Sequence, residues 1–236
     1  MMVLRLVLFF FLAPSFCKGQ SSLGIPCLGK LVDRAGFLRE LCGVSGSLLV
    51  SAAASEPVIS AGFSRTGGFV KKPLALQVLD GTLVWEASAP TGPALFAFGL
   101  FGAPRFVYLV ESKELLEWTG QFMRPVEFTP QGQVLSIATN ASGGWSAIVR
   151  RKDSVVILTA TSVVDLVGPA ESALLLDGSR LLLFAEGILR FADKSFPMVE
   201  APSVMEWINE DWIHLGGWVL RITPGKEALF QLPEAT

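Results

Sequence analysis

LEWTGQFMRPVEFTP (Leu116–Pro130), ILTATSVVDLVGP (Ile157–Pro169), LRFADKSFPMVEAP (Leu189–Pro202) and LRITPGKEALFQLP (Leu220–Pro233) are four versions of one plan. A short apolar run meets a small or polar break, and a second apolar run is closed by proline. The closing prolines stand 39, 33 and 31 residues apart, and Pro93 lies 37 residues before the first of them. The first three are each followed by another short apolar run. A recurrence of about 30–50 residues, in segments that read as strands, signals a repeat architecture.

Working outward from these segments, short β-rich runs recur between Gly, Pro, Asp and Ser clusters, and outside the extreme N-terminus no helical periodicity appears. One unit is expected at Ala94–Gly99, Arg105–Val110, Glu114–Trp118 and Met123–Phe128. The next covers Val134–Thr139, Trp145–Arg150, Val155–Thr159 and Val163–Val167. A third covers Ala173–Leu176, Leu181–Phe184, Ile188–Phe191 and Pro197–Glu200, and a fourth Val204–Ile208, Trp212–Leu215, Trp218–Ile222 and Ala228–Leu232. An earlier unit fits Val58–Phe63, Gly68–Lys71, Leu74–Leu79 and Thr82–Trp85. Asp80-Gly81 and Asp177-Gly178 are hairpin signals, because they tolerate the positive φ of a tight turn. Lys30–Leu41 reads as one more hairpin, and Gly43–Glu56, rich in Gly, Ser and Ala, as a connection.

Four-stranded units chained by prolines resemble the blades of a β-propeller. The resemblance covers Val58–Pro233 and is architectural, without the signature of a named propeller family. It implies an all-β fold of about five four-stranded blades, with a β-sandwich or barrel as the alternative. The first strand of each unit, after its proline, would line the central channel, and the fourth would lie at the rim. The N-terminal hairpin would pack against the last unit, around Ala228–Leu232, and join the two ends of the chain.

With 51% hydrophobic and 17% charged residues, 236 residues suffice for one sizeable core. Val3–Phe16 carries Arg5 and then an apolar stretch broken by Pro14, which reads as a secretory leader rather than a bilayer span. The expectation is a signal peptide over residues 1–19, with residues 20–236 as a single domain that is secreted or periplasmic and has no membrane span after leader removal. Loss of Arg5 and Lys18 leaves 17 cations against 21 anions, which offers nucleic acid no electrostatic footprint. Cys27 and Cys42 would remain as an even pair. They are either a disulfide or two small buried thiols.

His214 is the single histidine, which rules out a multi-histidine metal site. No P-loop, dinucleotide fingerprint or Gly-x-Ser-x-Gly elbow is present, and no cofactor is implied. The densest polar and aromatic cluster spans Glu206–Trp212, and within it Trp207, Asn209, Glu210, Asp211 and Trp212 are the candidate ligand contact. Its tryptophans offer faces to a sugar or peptide, although the same residues would also serve as a hairpin turn bracketed by packing tryptophans. Trp85, Trp118, Trp145 and Trp218 fall in successive units and are expected to pack. The functional expectation is a binding or interaction scaffold for a protein or carbohydrate. A propeller-type glycosidase or lyase, or a subunit of an envelope assembly, are the alternatives.

Overall fold

The computed structural model describes residues 25–44, 47–51, 56–152, 154–166, 170–177 and 179–233. The expected leader, residues 1–19, lies outside the described residues. Six antiparallel sheets follow one another along the chain. The first has three strands, β1 (Cys27–Val32), β2 (Leu38–Val44) and β3 (Ser47–Val50). The second holds β4 (Ser60–Phe63), β5 (Gly67–Lys71), β6 (Ala75–Asp80) and β7 (Leu83–Ser88), and the third β8 (Ala94–Phe98), β9 (Pro104–Leu109), β10 (Glu114–Trp118) and β11 (Met123–Val126). The fourth holds β12 (Gln133–Thr139), β13 (Trp145–Arg150), β14 (Val155–Thr159) and β15 (Val163–Leu166). The fifth holds β16 (Ser172–Leu175), β17 (Leu181–Ala185), β18 (Ile188–Phe191) and β19 (Lys194–Pro197), and the sixth β20 (Glu206–Asn209), β21 (Trp212–His214), β22 (Trp218–Arg221) and β23 (Ala228–Gln231).

Every sheet is a meander in sequence order, and the sheets stack as the blades of a six-bladed β-propeller. Apolar clusters close the ring interface by interface. Val32 with Phe63 and Val70 joins blades 1 and 2, and Phe69 with Phe96 and Val107 joins blades 2 and 3. Tyr108 with Ile137 and Trp145 joins blades 3 and 4, and Ile148 with Leu175 joins blades 4 and 5. Leu182 with Ile213 and Leu220 joins blades 5 and 6, and Leu31 and Leu41 with Ile208, Trp212 and Val219 complete the circle. Burial explains why the middle strands are apolar on both faces: β13 is buried along nearly its whole length, whereas β15 at the rim is mostly exposed. A four-stranded sheet cannot cover both faces alone, and radial stacking supplies the cover.

The post-proline strands β8, β12, β16 and β20 do lie innermost, and β11, β15, β19 and β23 lie at the far edges of their sheets. Serine hydroxyls stitch neighbouring inner strands: Ser60 Oγ accepts the Ala94 N–H at 3.0 Å, and Ser136 Oγ accepts the Leu175 N–H at 2.9 Å. The tryptophans pack as the repeats imply. Trp85 and Trp118 meet at 5.4 Å across blades 2 and 3, and Trp145 meets Phe128 edge-on at 4.9 Å.

The blade count differs from the five read in the sequence. The N-terminal hairpin is a sixth blade, because Ser47–Val50, inside the segment taken as a connection, pairs with β2. Four residues flanked by Gly and Ser carry too little pattern of their own, so tertiary pairing makes this strand.

Blade 1 is also turned over in the ring. Inner strands β4, β8, β12, β16 and β20 all begin on one face, here the front, and end on the rear. Leu28 at the start of β1 meets Asn209 at the end of β20, whereas Val32 and Asp33 share a hollow with Ser203 and Val204 at its beginning. The innermost strand of blade 1 therefore runs opposite to the other five, and among the described residues blade 1 contributes nothing to the wall of the axial cavity.

Candidate functional site

The axial cavity, about 360 Å³, is walled by Ile59–Gly62, Pro93–Phe96, Gln133–Ile137, Glu171–Leu174 and Pro202–Trp207. Small residues near the axis (Ala61, Gly62, Ala94, Ser136, Ala173) leave this space where blades converge. A second hollow of about 530 Å³ opens on the front face between blades 1 and 6. Its apolar side comes from Val32, Ile59, Met198, Leu215 and Trp218, and its charged side from Asp33, Arg34, Glu200 and Glu206. Ile59, Ser203, Val204 and Glu206 line both spaces, so Glu206 stands at the partition between them.

Electrostatics distinguish these charges. Asp33 is committed to structure: Oδ1 accepts the N–H groups of Ala35 and Phe37 and Oδ2 meets Arg39 at 2.6 Å. Burial would raise its pKa, but those donors outweigh it and hold the carboxyl below its usual value. Arg34 and Glu200 are exposed, and among the described residues neither has an ion-pair partner.

Glu206 faces His214 across the β20–β21 hairpin. The imidazole is 3% exposed, and its Nε2–H donates to the Gly216 carbonyl at 2.8 Å, an acceptor that fixes this tautomer. Nδ1 is thereby turned toward Glu206 Oε2 at 3.6 Å, and among the described residues neither atom has a hydrogen-bond partner. The two buried atoms thus face each other across the hairpin at a separation longer than a hydrogen bond.

The five residues singled out in the sequence divide by environment. Trp207 lines the axial cavity, edge-on to Phe98 at 6.4 Å. Asn209 uses Nδ2 on the Leu28 carbonyl and Oδ1 on the Asp211 N–H at 2.7 Å. Glu210 accepts the Arg65 N–H at 2.9 Å and pairs with its guanidinium, while Asp211 pairs with Arg65 at 3.1 Å and accepts the Thr223 hydroxyl at 2.9 Å. Trp212 is buried against Phe230 at 5.6 Å, under the Arg221 guanidinium. The turn thus holds blade 6 to blades 1 and 2 on the rear face, and Trp207 alone of the five reaches the cavity. Sequence reading missed Arg34 and Glu200, and it placed Glu206 in the polar cluster without facing it to His214. Only Glu206 had a signal: a turn at Asn209–Asp211 sets it opposite His214.

Cys27 and Cys42 are partners across β1 and β2, and the structure joins their sulfurs as a disulfide. The Glu40 carboxylate lies within 4.8 Å of both sulfurs. Among the described residues no helix is long and apolar enough to cross a membrane.

No family model matches the chain, and no curated protein matches it. Among solved structures, a streptogramin B lyase is 13% identical over 90% of this chain and 86% of its own, with a TM-score of 0.49. A catalytically inactive H270A virginiamycin B lyase from Staphylococcus aureus, with quinupristin, is 10% identical over 91% and 86%, with a TM-score of 0.48. The WD40 domain of SCAP from fission yeast is 12% identical over 87% of this chain and 62% of that one, with a TM-score of 0.43. At these identities and scores the likeness bears on fold alone, and the propeller stands on its own sheet order and blade interfaces.

Proposed function

We propose that this chain is an exported β-propeller that binds a protein or carbohydrate ligand at the front mouth of its ring. The observation that carries the reading is the pair of adjoining front-face hollows, whose shared wall holds Glu206 and whose rims hold Trp207 and Trp218. An aromatic face beside exposed, unpaired charges such as Arg34 and Glu200 suits a ligand with one apolar and one polar side, as sugars and peptides have. Export rests on the leader over residues 1–19 and on the Cys27–Cys42 pair, which persists in an oxidising compartment. The mature N-terminus would fall near Gln20, and mass spectrometry of the exported protein tests this.

Glycan and peptide array binding tests the site. The expected result is a ligand whose binding falls at least about tenfold in Trp207→Ala and Trp218→Ala, since buried aromatic contacts dominate such interfaces. A ligand bound equally by both variants and the parent contradicts it.

A second reading, an acid–base enzyme of lyase or glycosidase type, is favoured by the Glu206–His214 pair. It predicts turnover abolished by Glu206→Gln while ligand binding persists. A ligand that binds and is recovered unchanged argues against it.

A further inference from the structure

The rear face carries a feature the ligand site does not use. Between β8 and β9 the chain makes a single 3-10 turn, Leu100–Gly102, whose tip exposes two large apolar side chains, Leu100 at 77% and Phe101 at 91%. Phe101 has φ of +62°, a left-handed conformation that a bulky residue adopts only when its surroundings impose it. The imposition is visible: the Phe101 carbonyl accepts the Thr66 hydroxyl at 3.4 Å, the Gly102 carbonyl accepts the Ser64 hydroxyl, and the Gly102 N–H is tied to Gly99 at 3.1 Å. Blade 2 thus holds a strained turn in blade 3 with its apolar pair in solvent. The next rear turn of the same blade, Thr119–Phe122, exposes Phe122 as well.

Beside these tips, Arg105 and Arg124 both bind the one carboxylate of Glu117. Two cations on one anion leave a positive charge over, and both guanidinium groups remain substantially exposed. They border an open hollow of about 550 Å³ beside the Ser142–Gly144 turn. On this same face the described chain enters β1, at the exposed Ile25. Exposed Val44, at the end of β2, adds a further apolar group on this side.

We infer that the rear face of blade 3 seats on a phospholipid bilayer, with Leu100, Phe101 and Phe122 entering the interfacial region and Arg105 and Arg124 taking lipid phosphates. Exposed apolar side chains on two rear turns of one blade, with exposed arginines beside them, suit a lipid interface, where the apolar groups enter and the guanidinium groups meet phosphates. The ring axis would then stand off the membrane with its front mouth facing away, so lipid binding and ligand binding use opposite faces.

Co-sedimentation of the full chain with phosphatidylcholine vesicles, with and without phosphatidylglycerol, tests the inference together with a fluorescence probe. Leu100→Ser with Phe101→Ser should lower vesicle partitioning about tenfold or more at unchanged melting temperature, as expected for removing two inserted apolar side chains. Arg105→Gln with Arg124→Gln should abolish the preference for phosphatidylglycerol. In vesicles with brominated acyl chains, Phe101→Trp should add quenched fluorescence, and Val199→Trp, exposed on the opposite face, should add unquenched fluorescence. Equal quenching of both probes, quenching of Val199→Trp alone, or full partitioning of the serine variant overturns the inference. So does binding of the parent chain to a protein at this face with no partitioning into vesicles.

Discussion

The far arc of the ring and its seam hold together differently. Between blades 3 and 4, and between blades 4 and 5, matched repeats meet through apolar side chains, with Ile137, Ala147, Ile148 and Leu175 essentially inaccessible to solvent. The seam joins blade 6 to blades 1 and 2, where the inner strand of blade 1 runs the wrong way and the regular match is lost. An apolar cluster persists there, but where the far arc has hydrogen bonds such as that of Ser136 to Leu175, the seam adds ion pairs of Arg65 with Glu210 and Asp211 to the tie of Asn209 to Leu28, and the cysteine pair braces blade 1 itself. The difference teaches that repetition alone closes most of a propeller, while the junction of first and last blades needs contacts that no repeat supplies. The ties between blades there span 145–181 residues of sequence.

Truncating one buried side chain in each region gives the largest expected effect. Ile148→Ala on the far arc and Leu41→Ala at the seam should each cost about 3 kcal/mol, the usual range for emptying a fully buried aliphatic site. Native-state hydrogen exchange should separate them. Leu41→Ala should loosen the amides of β1–β3 while those of β13 and β14 stay protected, and Ile148→Ala should lower protection throughout. Identical exchange patterns would erase the distinction.

Next comes the cysteine pair. Closing a loop of about 15 residues contributes roughly 3 kcal/mol on the chain-entropy view. Denaturation with and without reductant should therefore shift for the parent and not for Cys27→Ser with Cys42→Ser. Glu40→Ala separates a disulfide from a bound metal held by the same three residues: the reductant sensitivity should persist in it, and a chelator should change nothing.

A smaller loss is expected from Asn209→Ala. It strips a donor from the Leu28 carbonyl and an acceptor from the turn, worth about 1–2 kcal/mol by thermal unfolding. Arg65→Ala, at a well-exposed ion pair, should change stability by less than about 1 kcal/mol. If the arginine matters more than the asparagine, the seam is held by charge rather than by the backbone tie.

Lys71 sharpens the comparison through pH. It is fully buried at the end of β5, donating to the Lys72 and Pro73 carbonyls at 2.6 and 3.2 Å, and burial lowers its pKa from 10.5. The folded chain thus binds fewer protons than the unfolded chain between that lowered value and 10.5. Stability should rise with pH across that window, and the penalty is full below it. Urea titrations from neutral pH to about 10.5 should show this rise in the parent and a flatter profile in Lys71→Met. A profile falling with pH would contradict the assignment.

Much of the fold was legible because local chemistry repeats it. Trp145–Arg150 and Val155–Thr159 are strands with the bounds read from their apolar runs, and prolines such as Pro93 and Pro202 do mark the turn toward the axis. The third strand of blade 1 was not legible, since Ser47–Val50 owes its state to a partner rather than to pattern. The seam was half legible: the apolar residues of the N-terminal hairpin called for cover by the last unit, but the reversed direction of β1 leaves no trace in composition. Of the site, Trp207 stood out as an aromatic beside a polar turn. Arg34 and Glu200, about 166 residues apart, come to line one hollow only through the ring.

Methyl–aromatic nuclear Overhauser contacts at the seam test the ring closure most directly. A closed ring with blade 1 wedged between its neighbours predicts contacts from the Leu31 and Leu41 methyls to Trp212, Ile208 and Val219, alongside contacts from Val32 to Phe63. Absence of the first set, with contacts within blades 2 to 6 intact, would show an open five-bladed arc and contradict the account.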